Sequence, residues 1–531
     1  MIIDLSHPSA ELPPSSDVLL IGAGTCGLVL ADALRRSGLT VTVLESGGRT
    51  PDQATERLNE VEQAGAFHYR GATEGRRRSI GGTSLLWGGA LLPFQPHDIA
   101  PRPGLAPDGW PLTHAELEAQ IPELERIFGL PGGSYGADFL TAEQRAADCV
   151  VDDGDFQVRF AKWPAFARRN THQLFYARVH RDPGLRVCIH ATATGLAVAN
   201  DRPRQIIGAS LRRPDGQRHT VHARRVVVCA GAIESTRLLL AATAAGMHQA
   251  LEPLCWLGQG FHDHVSVHVA ELRPPDPVRL NKLAGFRFQR GAMRSFRLEL
   301  SAQAQRRESL PSAWAHIGFE GLHEGGFDAL RRIMQRVQSG KLPRPQDAWK
   351  LAADAPYIAR LAAWKLLRQQ LMWPRKARYL LTVVGEQLPR PTNRIVLSDR
   401  CDAWGEPLPR IEWQIDRQDL DTLRRTAQLL SSCWQRHWAS SLGPMHWLID
   451  VNQPLQPERL QLSDIFHPGG TTRMGRTVND GVVDSDLAVL GVQHLHVLST
   501  SVFPTGASAN PTMTLLLLGL RLASHLRQQL N

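Results

Sequence analysis

The stretch DVLLIGAGTCGLVLADALRRSGLTVTVLESG, residues 17–47, decides the fold. Val18 to Ile21 is a short apolar run closed by glycine, the pattern of a strand buried on both faces of a parallel sheet. Gly22-Ala23-Gly24-Thr25-Cys26-Gly27 follows as G-x-G-x-x-G. A helix is predicted from Leu28 to about Arg36, ending near Gly38, and a second strand at Val41–Leu44. In such a unit Gly22 permits the tight turn, Gly24 lets backbone approach a pyrophosphate, and Gly27 lets helix pack close on strand. The helix N-terminus offers N–H groups and partial positive charge to phosphates. Glu45, at the end of the second strand, can accept from ribose hydroxyls. Cys26 reads as a small filler in the turn. The unit predicts a dinucleotide, and by itself leaves FAD and NAD equally open, since both share the ADP half.

Composition narrows the class. With 43% hydrophobic and 21% charged residues, the chain has ordinary globular composition. Its 531 residues allow about three domains, or two interleaved ones as in large α/β enzymes. The net charge of +9 is mild at this length, and its densest run, Arg76-Arg77-Arg78, reads as a solvated face rather than a nucleic-acid site. The seven cysteines are odd in number and scattered, which argues for reduced thiols. The N-terminus lacks a secretory pattern, and no apolar run reaches the ~18 residues of a membrane span. TLLLLGLRLASHL, near the C-terminus, is interrupted by Arg521 and His525 and reads as a buried amphipathic helix. A cytoplasmic protein is expected.

A second glycine cluster, SIGGTSLLWGG at 79–89, suits close approach of backbone to a flat ligand. Further on, ARRVVVCAGAIESTRLLLAA reads as a strand ending at Ala230-Gly231-Ala232 and a helix carrying Arg237. With LGQGFHDHVSVH at 257–268, FHPGGTTRMG at 466–475 and SVFPTGASANPTMT at 501–514, these segments resemble the glucose-methanol-choline (GMC) oxidoreductases. The resemblance is strong at the two ends of the chain and weak between about 270 and 380.

The resemblance implies a mixed α/β fold. A Rossmann-like FAD domain with a parallel sheet would be interleaved with a substrate domain on an antiparallel sheet. Its main part would span 1–270 with substrate-domain segments inserted, the substrate domain 271–450, and the return to the FAD domain 451–531. NRIVLSDRCDAWGEPLPRIEWQID resembles the family's sheet strands, and the alternation from Arg410 to Ile415 independently predicts a strand. The cofactor set implied is Gly22, Gly24, Thr25, Cys26, Gly27, Glu45 and Ser46; Gly81, Gly82, Thr83, Ser84, Trp87, Gly88 and Gly89; Ala193, Ala230 and Gly231; and Ser499, Thr500, Asn510, Pro511 and Thr512. Leu86 stands where relatives with covalent FAD carry a histidine, so non-covalent FAD is expected. Ser499 stands where many relatives have Asp.

Oxidising an alcohol requires a base for the hydroxyl proton while hydride leaves the carbon, and histidine suits that task. By resemblance His467, on the turn Pro468-Gly469-Gly470, is the base. Asn510 can donate or accept at the same oxygen but takes no proton. The cluster His262, Asp263, His264 and His268 has spacing compatible with a metal, but reads as a structural segment, and no metal is expected. The substrate is expected to be a small-molecule alcohol. A ring secondary alcohol of a sugar, glycoside or polyol is favoured, with aliphatic, aryl or sterol-like alcohols as alternatives. An NAD(P)-linked dehydrogenase leaves SIGGTSLLWGG and SANPT unexplained, and a non-catalytic flavin-binding scaffold is the alternative that an unchanged flavin reduction in His467→Ala would favour. Oxygen or another electron acceptor completes the cycle, and no C-x-x-C-H is present for an internal haem relay. The 270–380 region reads as strand, loop and helices, either a lid or a cover over the sheet.

Overall fold

The computed structural model describes residues 1–247, 251, 254–321, 325–338, 341–374 and 377–531. Strands Ser16–Ile21 and Val41–Leu44 lie side by side and parallel, with Val18 opposite Val41. The helix between them is Thr25–Arg36. It begins at Thr25 rather than Leu28 because Gly24, in extended conformation, already serves as its cap. Gly27 has to be glycine, since a Cβ there would stand 2.1 Å from the carbonyl oxygen of Gly22.

The sheet continues on both sides. Its order is Ile2–Asp4, Leu185–Ile189, Val41–Leu44, Ser16–Ile21, Arg218–Val228, all parallel, followed by antiparallel Arg202–Arg212 and Thr192–Ala199. Leu495–Val497 adds in parallel to the C-terminal end of Arg218–Val228. Val226, Val227 and Val228 are fully buried, as central parallel strands require. The last helix, Pro511–Leu530, packs on Thr25–Arg36 and buries Leu516 to Leu518, Leu522 and Leu526. TLLLLGLRLASHL is therefore a buried helix, as its interrupted pattern predicts. This pairing of the first and last helices returns Asn510 to the cavity that the G-x-G-x-x-G turn also lines.

A second, antiparallel sheet runs Arg287–Gln289, Ala292–Leu300, Ala313–Glu320, Arg378–Glu386, His264–Leu272, Met445–Trp447. Phe156–Trp163 pairs with Ala292–Leu300, placing Arg159 opposite Arg297. His264 lies opposite Glu386. The helix Arg417–His437, closed at its start by a capping box on Asp416 and Asp419, packs on this sheet. Arg394–Cys401 and Pro407–Glu412 do form an antiparallel pair, but with Glu62–Ala64 in a small sheet of their own. The mixed α/β architecture with one parallel and one antiparallel sheet is the one expected from sequence.

Candidate active site

A cavity of about 720 Å³ runs from the G-x-G-x-x-G turn to the edge of the antiparallel sheet. At one end stands the N-terminus of helix Thr25–Arg36, which no side chain caps. The space where a Cβ of Gly24 would stand is open. Gly82 packs so tightly on this turn that a Cβ would lie 2.8 Å from the Cα of Gly24, and Gly81 donates to the carbonyl of Ala23 at 2.8 Å. The two glycine clusters thus form one wall. Buried Glu45 accepts from the backbone N–H of Ala23 and Gly47, and burial raises its carboxyl above the usual range.

At the other end of the cavity lies His467. The segment that carries it runs beside 262–266, with Val265 opposite Asp464 and His262 bridged to Gly469. The glycine pair after His467 makes this approach possible, because a Cβ at Gly470 would meet the carbonyl oxygen of Gly260 at 2.0 Å. Buried Asp263 fixes the junction. It accepts from the backbone N–H of His467 at 2.7 Å and of His264 at 2.6 Å, and from the Tyr69 hydroxyl at 2.6 Å. Burial and the nearby Asp464 push its carboxyl up to about 7.

The hydrogen bonds assign the tautomers. His264 Nε2 is 2.8 Å from the carbonyl of Ala507, which can only accept, so Nε2 carries the proton. Burial holds His264 at about 4, hence neutral, and its Nδ1 is bare. His467 Nδ1 lies 3.2 Å from that nitrogen and must donate to it. His467 is itself held well below 6.5 by burial and by its neighbours His264 and Arg297, so its Nε2 carries a free lone pair. That lone pair faces Asn510 Nδ2 at 3.3 Å. Arg297 fixes the amide, donating from Nη1 to Asn510 Oδ1 at 3.1 Å and from Nη2 to the carbonyl of Ser508 at 2.6 Å.

Behind this ring Glu386 accepts a bidentate Arg102 at 2.6 and 2.8 Å and the backbone N–H groups of Gly506, Ala507 and Ser312. Burial opposes its ionisation, but the Arg102 charge and these donors outweigh that and hold it at about 2. The loop carrying Asn510 is thereby pinned to the antiparallel sheet. The result is a cavity ending in one bare imidazole nitrogen beside one amide, a base and a polariser for a hydroxyl.

Two profiles described as GMC oxidoreductase match residues 143–266 and 389–519. The chain belongs to the GMC oxidoreductase family. It is 22% identical to the fructose dehydrogenase large subunit of Gluconobacter japonicus, over 96% of this chain and 97% of the relative. It is 24% identical to 6'''-hydroxyparomomycin C oxidase of Streptomyces lividus, over 96% and 92%. Formate oxidase from Aspergillus oryzae RIB40 shares the fold with a TM-score of 0.58 to 0.59 at 16% identity, covering 98% of this chain and 99% of its own. This GMC oxidoreductase is accordingly an FAD-dependent oxidoreductase acting on CH–OH donors.

The residues present fit FAD. The open side of Gly24 and the uncapped helix end suit a pyrophosphate, Glu45 suits a ribose, and the indole of Trp87 stands on the wall beside Gly88 and Gly89. Of the residues expected from sequence, Gly22, Gly24, Thr25, Cys26, Glu45, Ser46, Gly82, Thr83, Trp87, Gly88 and Gly89 line the cavity. So do Ala193, Ala230, Gly231, His467, Ser499, Thr500, Asn510, Pro511 and Thr512. Gly27, Gly81 and Ser84 stand behind the lining; Ser84 donates to the carbonyl of Gly81 and holds the second cluster in shape. Cys26 Sγ donates to the carbonyl of Leu498, as a turn filler does.

The arginine run is a correction. Arg76, Arg77 and Arg78 are half-buried and line the cavity instead of forming a solvated face. Arg76 and Arg78 converge on Glu234 at 2.7 and 3.1 Å, where three arginines overcome burial and hold that carboxyl at about 2. Sequence reasoning also missed Arg297, in the region of weak resemblance, and Glu386, just beyond it. In the histidine cluster, His262 contacts the carbonyl of Gly260 and His268 contacts Thr382. The ligand atoms that do converge belong to Asp263, His264 and His467, and they are engaged in the hydrogen bonds described above.

Proposed function

We propose that this GMC oxidoreductase oxidises a hydroxyl of a carbohydrate or glycoside, with His467 Nε2 as the base. The observation that carries the reading is the bare Nε2 of His467 facing Asn510 inside the cavity. Bound FAD supplies the hydride acceptor. The substrate hydroxyl sits between His467 Nε2, which takes its proton, and Asn510 Nδ2, which donates to its oxygen. As Nε2 gains the proton, Nδ1–H stays paired with His264, and the positive charge forming on the ring is met by a built acceptor. Asn510 keeps its donor edge toward the substrate because Arg297 occupies its oxygen.

The carbohydrate assignment is supported by relatives named for fructose, 6'''-hydroxyparomomycin C and, from Streptomyces fradiae at 25% identity, paromamine. Among sugar hydroxyls, a ring secondary alcohol is the reading we favour. FAD is bound without a covalent link, a reading supported by Leu86 at the position where a linking histidine would stand.

The test is anaerobic flavin bleaching with a panel of sugars, glycosides and simple alcohols. One carbohydrate class is expected to bleach the flavin, and His467→Ala to slow that bleaching about 10²-fold or more. Equal rates in His467→Ala would refute the base. Acid precipitation should leave free FAD in the supernatant; a yellow pellet would refute non-covalent binding.

A further inference from the structure

Helices Gly326–Gln338, Pro345–Ala353 and Ala355–Arg368 pack on one another, and Phe327 of the first meets Phe319 of the antiparallel sheet. Between residues 326 and 376 the sequence holds eleven Lys and Arg against three Asp, so this segment carries +8 of the chain's +9. Two of the three acidic groups are engaged within the protein. Asp347 is buried against Arg332, and Asp354 accepts from the backbone of Gly326. Among the described residues no ion pair engages Lys341, Arg344, Lys350, Arg360, Lys365 or Arg368.

The apolar side chains on two of these helices point the wrong way for a soluble protein. Ala355–Arg368 packs inward through Tyr357, Leu361 and Trp364, one stripe at i, i+4, i+7. Its outer face is Ala359, Ala362, Ala363 and Leu366, with Leu366 75% and Leu367 84% exposed. Pro345–Ala353 repeats the arrangement, with Asp347 inward and Trp349 77% exposed beside Ala352 and Ala353. Leu342, just before it, is 84% exposed. A groove of about 210 Å³ opens beside Ala355–Arg368, lined by Val278, Trp364, Leu367, Met372, Trp373 and Tyr379.

We propose that this face docks on the surface of an anionic phospholipid bilayer. An outward apolar stripe with Trp and Leu, edged by cations, is what an interfacial helix presents to the headgroup and acyl boundary. The uncompensated Lys and Arg supply attraction to acidic headgroups. A protein partner fits less well, because the centres of protein interfaces are depleted of lysine. No helix among the described residues is long and apolar enough to cross a membrane, so the contact is superficial. Helix Gly326–Gln338 also packs on the turn Phe166–Arg168, just after Trp163 of the cavity wall, so docking brings that flank of the site to the lipid surface.

The test is flotation of the FAD-loaded full chain with phosphatidylglycerol/phosphatidylcholine vesicles and with phosphatidylcholine alone. Binding is expected on the anionic vesicles and at least tenfold weaker on the neutral ones. It should also weaken at about 1 M salt, where the Debye length falls to about 3 Å. The triple variant Trp349→Ser, Leu366→Ser, Leu367→Ser should lose binding at least tenfold while its flavin is bleached by substrate as in wild type. Lys350→Glu with Lys365→Glu, a milder surface change, should weaken binding in the same direction. Failure of the wild type to float with anionic vesicles, or flotation unaltered in both variants, would overturn the proposal. So would a wild-type dimer that the triple variant dissociates, which would assign the face to a second copy.

Discussion

His264→Phe isolates the part of the site that sets the proton positions. The new ring is aromatic and only slightly larger, so it can keep the edge contact with Trp314, whose centroid is 4.8 Å away. What is lost, together with the Nε2–H donated to the Ala507 carbonyl, is the acceptor for His467 Nδ1–H. That proton is then buried without a partner, or the imidazole changes tautomer and turns an N–H toward the amide donor of Asn510. Rotating the Asn510 amide to suit would cost its bond from Arg297. Each route costs about 1–3 kcal/mol, the penalty of one unsatisfied buried group, and it grows as His467 becomes positively charged. At 1.36 kcal/mol per decade, the rate of anaerobic flavin bleaching should fall about 5- to 150-fold, with little change in the substrate concentration for half-saturation. His264→Gln, whose side-chain oxygen can accept, should recover part of the loss. Long-range ¹H–¹⁵N spectra of histidine-labelled protein should show the proton of His467 on Nδ1 in wild type and redistributed in His264→Phe. Unchanged bleaching in His264→Phe, with a proton on Nε2 in wild type, would refute the tautomer assignment.

Two further outcomes follow from the same geometry. His467 is held below 6.5 by burial, so the competent neutral form prevails above that value. The pH profile of kcat/KM should stay level through neutral pH and down past 6.5, losing activity only in more acid solution; an acid limb centred at or above 6.5 would contradict this. Glu386→Gln leaves buried Arg102 without its counter-charge and should destabilise the protein by about 3–5 kcal/mol, read as a lower thermal midpoint, and also slow bleaching by loosening the Asn510 loop. A midpoint and rate equal to wild type would remove Glu386 from both tasks.

What the sequence makes legible here is what local pattern can encode. The strand, turn and helix at 17–47 are specified by glycine spacing and an unbroken apolar run, and the structure differs in starting the first strand at Ser16 and the helix at Thr25. The alternation from Arg410 likewise marks a strand, which runs Pro407–Glu412 and stops short of the expected Ile415. Arg76 and Arg78 were illegible because their partner, Glu234, lies far along the chain, and nothing local distinguishes an arginine that folds inward from one in water. Arg297 and Glu386 sit on strands whose charged residues break the expected polar-outward alternation, since both are buried. His264 was visible as part of a histidine cluster, but its relation to His467 depends on the pairing of Val265 with Asp464, a register that only the folded sheet defines.

The Arg102–Glu386 pair bears on why charge is kept in so dry a place. A buried ion pair is weak evidence of stabilisation, because well-packed apolar residues often serve as well or better. Here an apolar replacement would strand the backbone N–H groups of Ser312, Gly506 and Ala507, which all end on the carboxylate. Those N–H groups are not incidental. Ala507, held in a left-handed conformation at φ 59°, offers its carbonyl to His264, and Asn510 follows three residues later. The carboxylate therefore fixes the backbone at Ala507, the carbonyl of that residue fixes a histidine proton, and that proton leaves His467 Nε2 bare. On this argument the charge is retained for direction rather than for stability, and it lies in the sheet opposite His264 because there it can reach both the loop and the strand.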